Sequence, residues 1–554
     1  MSGSQQRLAL AALVALPLAL FVNAAVAIDA PVFVAVARQL VAHPFDPFGF
    51  DMIWDPTSPH VWEFNLNPPL YSYVLALPLA LFGEWELALH LASAVFPFVA
   101  IFSFAGIARR LCGEGLGPAA VLAATPAFLL LATTLMLDVP VLAFFLLAVY
   151  GLLRAVAGEG ARWEWLAGLA CAAAGLTKYV GFATLPLLAA GLVLLSPARP
   201  PAARLARILG LPVLLWSAWA FVTWLHYGQV HFAGGVQLVG QKHFDPAHYG
   251  NQLASVPLYY GGALLFPIFV WLDRVRKGRG GIELAVVGLL IGGVIVTYLL
   301  PEGRPARRVA LDVEESIFCA LAIAGACVVW GQALLPLRRL REHAEVAFLV
   351  CWLVGFLAFS WFVNWHTNAA DALMAAPPAL LLLFRDPQTR PSPGQVGVWI
   401  ALLLPVSLLL TASDVEQRNA YRDTAGKIVR EIGDAPGARW FVGHWGFQYY
   451  LEREGFRAVV PPQYERRYGV SEIERGDWIA SARNVSQLDV SRTLDRFTMR
   501  IAWRFPVASS LPLRATQPDA GAGFYSHQSG YGPLAWSWAP VEEIGLAQVT
   551  GRRH

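Results

Sequence analysis

Charge is what this chain has least of: Asp, Glu, Lys and Arg make up 14% of its 554 residues, against about 25% in an ordinary soluble domain. A net charge of +3 over such a length provides no basic field, which excludes nucleic acid as a partner. Cysteine is scarce too. Cys112, Cys171, Cys319, Cys327 and Cys351 all lie in or beside apolar segments, without CxxC or His/Cys spacing, so a disulfide framework and a zinc motif are excluded and the five read as small core hydrophobes. An internal repeat is also lacking, which argues against the paired halves common in transporters.

What the chain does have is apolar length. Hydrophobic residues make up 56% of it, and runs near the roughly 20 residues that cross a bilayer recur from residue 8 to residue 411. They fall near 8–28, 86–108, 116–133, 139–155, 163–177, 179–196, 207–225, 254–272, 281–299, 315–335, 346–362, 371–384 and 397–411. The expected class is an all-α polytopic membrane protein of about thirteen transmembrane helices. The first run follows a single Arg7 and ends in Ala25-Val26-Ala27, which looks like a signal-peptidase site. Its length exceeds the roughly 7–15 residues of a signal core, so it is read as a span.

Lys and Arg set the orientation, because basic loops stay cytoplasmic. Alternate loops carry Arg109 and Arg110, Arg154 and Arg162, Arg199 with Arg204 and Arg207, Arg274 with Arg276, Lys277 and Arg279, Arg338 with Arg339 and Arg341, then Arg385 and Arg390. With these inside, Asp29, Asp138, Lys178 and Lys242 share the outer face, together with Arg304, Arg307 and Arg308. An odd number of spans puts the C-terminal segment outside as well.

That segment, 412–554, differs in kind. Charge density rises and apolar runs shrink to strand length between Pro, Gly and Trp, which predicts a small extracytoplasmic α/β domain after a transmembrane domain at 1–411. Arg439 to Leu451 fits a strand, a glycine turn and a helix. Tyr525 to Pro533 is an aromatic and polar loop, either a turn on the domain core or an acceptor contact. Asn484-Val485-Ser486 is a lone sequon. The first outer loop, 29–85, is long, and its segments 31–42 and 69–82 have the Trp, Tyr and Pro content of helices lying at the interface.

A carboxylate at a membrane boundary points to function by default, since it costs roughly 2.5–3.5 kcal/mol at full depth. Asp29 and Asp138 are two on one face. Each has a plainer reading: Asp29 as a solvated helix end, Asp138 as the N-terminal cap of the span that follows it. Lys178 likewise reads as a snorkelling interface residue or as a ligand for an anion.

The order of short motifs carries a resemblance. Asp29, then Pro68-Pro69-Leu70-Tyr71, Phe82-Gly83-Glu84, Leu87 to Ala94, Arg109-Arg110-Leu111, Met136-Leu137-Asp138-Val139-Pro140 and Leu176-Thr177-Lys178-Tyr179 resemble the GT-C glycosyltransferases. More narrowly the set resembles the bacterial branch of the dolichyl-phosphate-mannose protein mannosyltransferases, to which the aminoarabinose transferases of lipid A belong. The resemblance is good over residues 20–195, looser over 365–385, and only architectural beyond.

It implies a glycosyltransferase that takes a hexosyl or pentosyl group from a polyprenyl-phosphate carrier at the outer face of a membrane, a bacterial inner membrane in that branch, and passes it to an acceptor, with inversion. Asp29 matches the position of the base and Asp138 the second acidic residue. Lys178, with Tyr179, Tyr71, Lys242 and Arg304, matches or neighbours the positions that would bind substrate and neutralise phosphate. Lipid, glycan and protein acceptors stay open. No nucleotide cofactor is expected. In related lipid A transferases a histidine of the loop near 226–253 and an acidic residue before the Pro-Pro pair bind a metal. Here Leu66-Asn67 stands at the acidic position, which leaves His243 and Glu63 as the candidate ligands of a divalent metal. Two other classes remain in view: a multi-pass transporter of a lipid-linked or small polar solute, and a sensor whose soluble domain binds a ligand.

Overall fold

The computed structural model describes residues 2–56, 58–242, 246–278, 313–334, 343–364, 366–485 and 489–553. The expected span at 281–299, the Arg304, Arg307 and Arg308 cluster and His243 lie outside the described residues, as does the side chain of Lys242. The chain is a mostly helical, multi-pass membrane protein with a small C-terminal sheet.

Among the described residues six helices are long and apolar enough to cross a membrane, or seven if one bent pair counts as a span. The count of thirteen is not reached on that measure, for two physical reasons. Several apolar runs form helices of 17 residues or fewer, such as Ala161–Thr177 and Ala369–Arg385. Others are broken. The run at 116–133 divides at Thr125, whose side chain caps the helix starting at Pro126. The run at 254–272 bends by 86° at Leu265, a non-glycine residue with φ +57°, just before Pro267, which lacks the N–H that would continue the ladder.

The segments expected at the interface form helices Ala30–Ala42 and Leu70–Phe82. They pack on each other, with Ser72 Oγ donating to the Phe33 carbonyl at 3.1 Å and the Phe33 and Tyr71 rings edge to face.

Helix Pro393–Ile432 runs for 40 residues, a length of about 60 Å against a hydrocarbon core of about 30 Å. It therefore carries the chain out of the apolar layer without a break at residue 411. Beyond that point its buried face turns polar, with Ser413, Asp414, Gln417, Arg418 and Thr424 all inside the protein. Arg418 and Asp414 form an ion pair 2.8 Å apart with both side chains 3% exposed or less. Arg418 also donates to the Thr133 carbonyl, and the Tyr525 hydroxyl donates to Asp414. Breaking one half of a buried pair typically costs about 3–5 kcal/mol, because the other charge is stranded. Arg418→Met is therefore expected to lower the unfolding temperature of the detergent-solubilised protein clearly, and Arg418→Met with Asp414→Leu to recover much of the loss; an unchanged melting profile for the single variant would mean the pair holds nothing together.

The sheet has five strands: β1 Arg439–Val442, β2 Arg457–Ala458, β3 Trp478–Ala482, β4 Phe497–Val507 and β5 Glu542–Arg552, in the order β2-β1-β3-β5-β4. β1 pairs in parallel with β2 and β3, while β5 runs antiparallel to β3 and β4. Helix Trp445–Arg453 connects β1 to β2, so the strand, glycine turn and helix expected at 439–451 are present. Gly443 makes the turn at φ +119°, where an added Cβ would also lie 2.6 Å from the Val485 side chain.

Candidate active site

Helices Asp138–Val156 and Ala161–Thr177 pack side by side, and with helix Ala369–Arg385 their ends define two poles. At one pole sit Arg110 and Arg154, both paired with Glu159, and Arg385, paired with Glu345. At the other, about 28 Å away along the 19-residue helix Asp138–Val156 by its rise, lie Asp138, Lys178 and Asp371.

Asp138 is the first residue of its helix, one position past the N-cap Leu137. Its partner is Lys178, whose Nζ donates to Asp138 Oδ1 at 2.7 Å. The aspartate is 8% exposed and the lysine 32%, so the pair faces a space water can enter. Lys178 stands in extended backbone between helix Ala161–Thr177 and the turn Tyr179–Ala183. Gly181 allows that reversal, since a Cβ there would lie 2.2 Å from the Ala174 backbone.

Asp29 precedes helix Ala30–Ala42 without capping it through its side chain. The approach to it is held from outside the membrane domain. Asn419 accepts from the Ala25 amide at 2.9 Å and the Tyr450 hydroxyl from the Val26 amide at 2.8 Å. Ile28, immediately before the aspartate, is at φ +54°, a left-handed conformation that a β-branched residue adopts only under constraint. The backbone leading into Asp29 is thus held in place.

Asp29 is itself in contact with water, but the surrounding protein displaces enough of it to push the carboxyl from 3.8 up to about 6, with Lys178 opposing that rise and Asp138 adding to it. Lys178 is the shared positive charge: bonded to Asp138, it also acts electrostatically on Asp29 and Asp371. Three carboxylates around one ammonium form a cluster whose members compete for a single cation.

Asp371 is the residue the sequence reading passed over. It is the third residue of helix Ala369–Arg385 and forms a capping box with Asn368, accepting from the Asn368 amide at 3.0 Å while Asn368 Oδ1 accepts from its own amide at 3.1 Å. Asn364 Nδ2 donates to it at 2.8 Å. The signal was present: an Asn-x-x-Asp box with its acid at the first position of an expected span, judged by the same rule that singled out Asp138.

The loop at 525–533 meets this segment. The Ala369 amide donates to the Phe524 carbonyl at 3.0 Å, the His527 amide to the Thr367 carbonyl at 2.9 Å, and the Thr367 amide to His527 Nδ1 at 2.9 Å. Tyr259 Oη secures the loop from below, donating to the Gly523 carbonyl at 2.5 Å. The loop therefore packs against the membrane-domain segment that carries Asp371.

The other predicted positions fall elsewhere. Tyr179 Oη bonds His231 Nδ1 at 2.5 Å, and His231 Nε2 lies 2.9 Å from the Asn65 carbonyl within a group of rings from Phe48, Trp62 and Trp219. Tyr71 is buried in the core, its hydroxyl 2.9 Å from Ser93 Oγ. Glu63 is exposed on the short helix Val61–Phe64. Among the described residues no three His, Cys, Asp or Glu side chains gather to hold a metal ion.

Residues 66–227 match the family model described as dolichyl-phosphate-mannose-protein mannosyltransferase, the family that the ordered motifs resemble. The match covers under a third of the chain and includes Asp138 and Lys178. No curated protein matches the sequence. Among solved structures, the chain is similar to ArnT from Cupriavidus metallidurans in the apo state, at 15% identity over 91% of this chain and 97% of that one, with a TM-score of 0.45. It is also similar to the same protein bound to undecaprenyl phosphate, at 14% identity over 100% of both chains and a TM-score of 0.43. An oligosaccharyltransferase from Archaeoglobus fulgidus is similar at 15% identity over 82% of this chain and 64% of that one, with a TM-score of 0.42.

Proposed function

We propose that this protein is a membrane glycosyltransferase that moves a sugar from a polyprenyl-phosphate carrier to an acceptor, at the membrane face where Asp29, Asp138 and Lys178 meet. The observation that carries the reading is the placement of an uncapped carboxylate with a raised pKa beside an acid–lysine pair at one end of a helical bundle. The matched family supports it at residues 66–227.

The reaction requires that a hydroxyl or other nucleophile lose its proton while it attacks the anomeric carbon, and that the departing phosphate keep the bond's electron pair. Asp29 is suited to the first task. A carboxyl near 6 is ionised at neutral pH and more basic than an ordinary aspartate, which improves proton acceptance. Lys178 is suited to the second, supplying a cation where negative charge accumulates on the phosphate. Asp138 holds the lysine in place before donor arrives. When phosphate takes over the ammonium, Asp138 is released to orient the acceptor, and attack opposite the phosphate gives inversion. The arginine pole then faces the cytoplasm and the sheet lies outside.

Purified protein, offered a panel of radiolabelled polyprenyl-phosphate sugars with membrane extract as acceptor source, is expected to transfer one of them. Turnover should fall as the pH drops through about 6, because the Asp29 carboxyl takes up its proton there and a protonated acid cannot serve as base. No transfer from any donor by folded protein would overturn the reading, and a flat profile between pH 5 and pH 8 would remove Asp29 from the role of base.

A further inference from the structure

The pole opposite the carboxylates holds a cavity for which the proposed reaction has no use. Helix Gly3–Leu20 begins there and packs beside helices Val95–Cys112 and Leu116–Ala124. Between them is a hollow of about 280 Å³ lined by Arg7, Leu10, Phe102, Arg109, Leu116 and Tyr150, among others. We propose that this hollow binds the phosphate headgroup of an anionic membrane lipid.

Charge is the first argument. Among the described residues that line it, two are arginines and none is a carboxylate. The adjacent cations are neutralised, since Arg110 and Arg154 both pair with Glu159. Arg154 also donates to the Tyr150 hydroxyl at 2.8 Å, which holds the tyrosine at the rim. Arg7 and Arg109 are both exposed, and two uncompensated guanidinium groups favour a phosphate, which they can grip through paired hydrogen bonds.

Position and shape indicate a lipid. The arginines lie at helix ends, where headgroups sit, while Leu10, Phe102 and Leu116 continue the wall toward the apolar interior. Only 17% of the residues of helix Gly3–Leu20 are buried, and Leu8, Leu16 and Leu20 are exposed at 66% or more, so acyl chains can lie along it. The volume is slightly under the roughly 300–1,000 Å³ of small-molecule pockets, enough for a headgroup while the chains stay in the bilayer. Basic pockets between helices at a cytoplasmic boundary recognise headgroups by this combination.

The test is lipid retention by the full-length protein. Wild type, Arg7→Gln/Arg109→Gln, and a control with the same charge change at exposed positions far along the chain, Lys427→Gln/Arg430→Gln, are purified from mixed phosphatidylglycerol and phosphatidylcholine micelles and examined by native mass spectrometry. Wild type and control should retain phosphatidylglycerol preferentially, and the Arg7/Arg109 variant should lose roughly tenfold or more of that preference. Equal retention by all three, or an equal loss in the control, overturns the proposal. Displacement of the lipid by millimolar glycerol 3-phosphate would assign the hollow to a soluble phosphate and overturn the lipid occupant. If the double variant does not survive purification, wild type decides alone, since absence of any preference for phosphatidylglycerol refutes the site.

Discussion

Asp29→Asn is expected to lose roughly 10²–10⁴-fold in transfer rate, the range a positioned general base contributes, while remaining folded. The amide has the same size and accepts similar hydrogen bonds but cannot take the acceptor's proton. Stability should move the other way, or not at all. The folded-state pKa is raised from 3.8 to about 6, so the native protein holds this proton more tightly than the unfolded chain does. The ionised carboxyl therefore destabilises the fold progressively as pH rises from about 4 to about 6, and fully above that. At pH 7.5 the neutral amide escapes this penalty, so the variant should unfold at the same temperature as wild type or slightly higher. Wild-type turnover from Asp29→Asn would sink the assignment of the base. A drop in both activity and unfolding temperature would instead make Asp29 a structural residue.

Lys178→Ala is the second variant with a large expected effect, a loss of about 10²–10³-fold, comparable with the removal of one donor from a site that stabilises developing negative charge. The loss should be greatest in kcat/KM for the lipid-linked donor and should leave the KM for acceptor little changed, because the lysine is assigned to the phosphate alone. The variant also strands Asp138, which is 8% exposed and has the lysine as its bonded cation. Some fall in unfolding temperature is therefore expected, smaller than for a fully enclosed pair because the lysine side of the space admits water. Lys178→Arg separates the two effects: it keeps the charge and Asp138's partner, so stability should return, while activity returns only as far as the longer planar group fits the same phosphate. A Lys178→Ala protein with normal donor kcat/KM would refute the phosphate role.

Much of this was legible because a membrane imposes strict length and polarity rules on a sequence. The helices observed at Asp138–Val156, Ala344–Phe362 and Ala202–Tyr227 each coincide with an expected run, and so do the two helices of the first loop, Ala30–Ala42 and Leu70–Phe82. Where the reading departed from the structure, the cause was local geometry that composition does not report. Apolarity continues across Thr125 and Leu265, yet capping at one and backbone conformation at the other break the helix. The helix at Pro393–Ile432 was cut short at 411 because polar residues begin there, although a helix leaving the bilayer can keep its ladder while its packing surface turns polar.

By itself the sequence determined that the chain crosses a membrane repeatedly, that the basic loops carrying Arg109, Arg154 and Arg385 and the isolated acids belong to opposite ends, and that Asp29, Asp138 and Lys178 warranted attention, because each of these depends on the cost of placing charge in hydrocarbon. Only the tertiary structure decided which of those charges meet. The bond from Lys178 to Asp138, the inclusion of Asp371 and the docking of the 525–533 loop against Thr367 join residues tens to hundreds of positions apart. Spacing along the chain carries no information about such contacts, which arise from the way the helices pack.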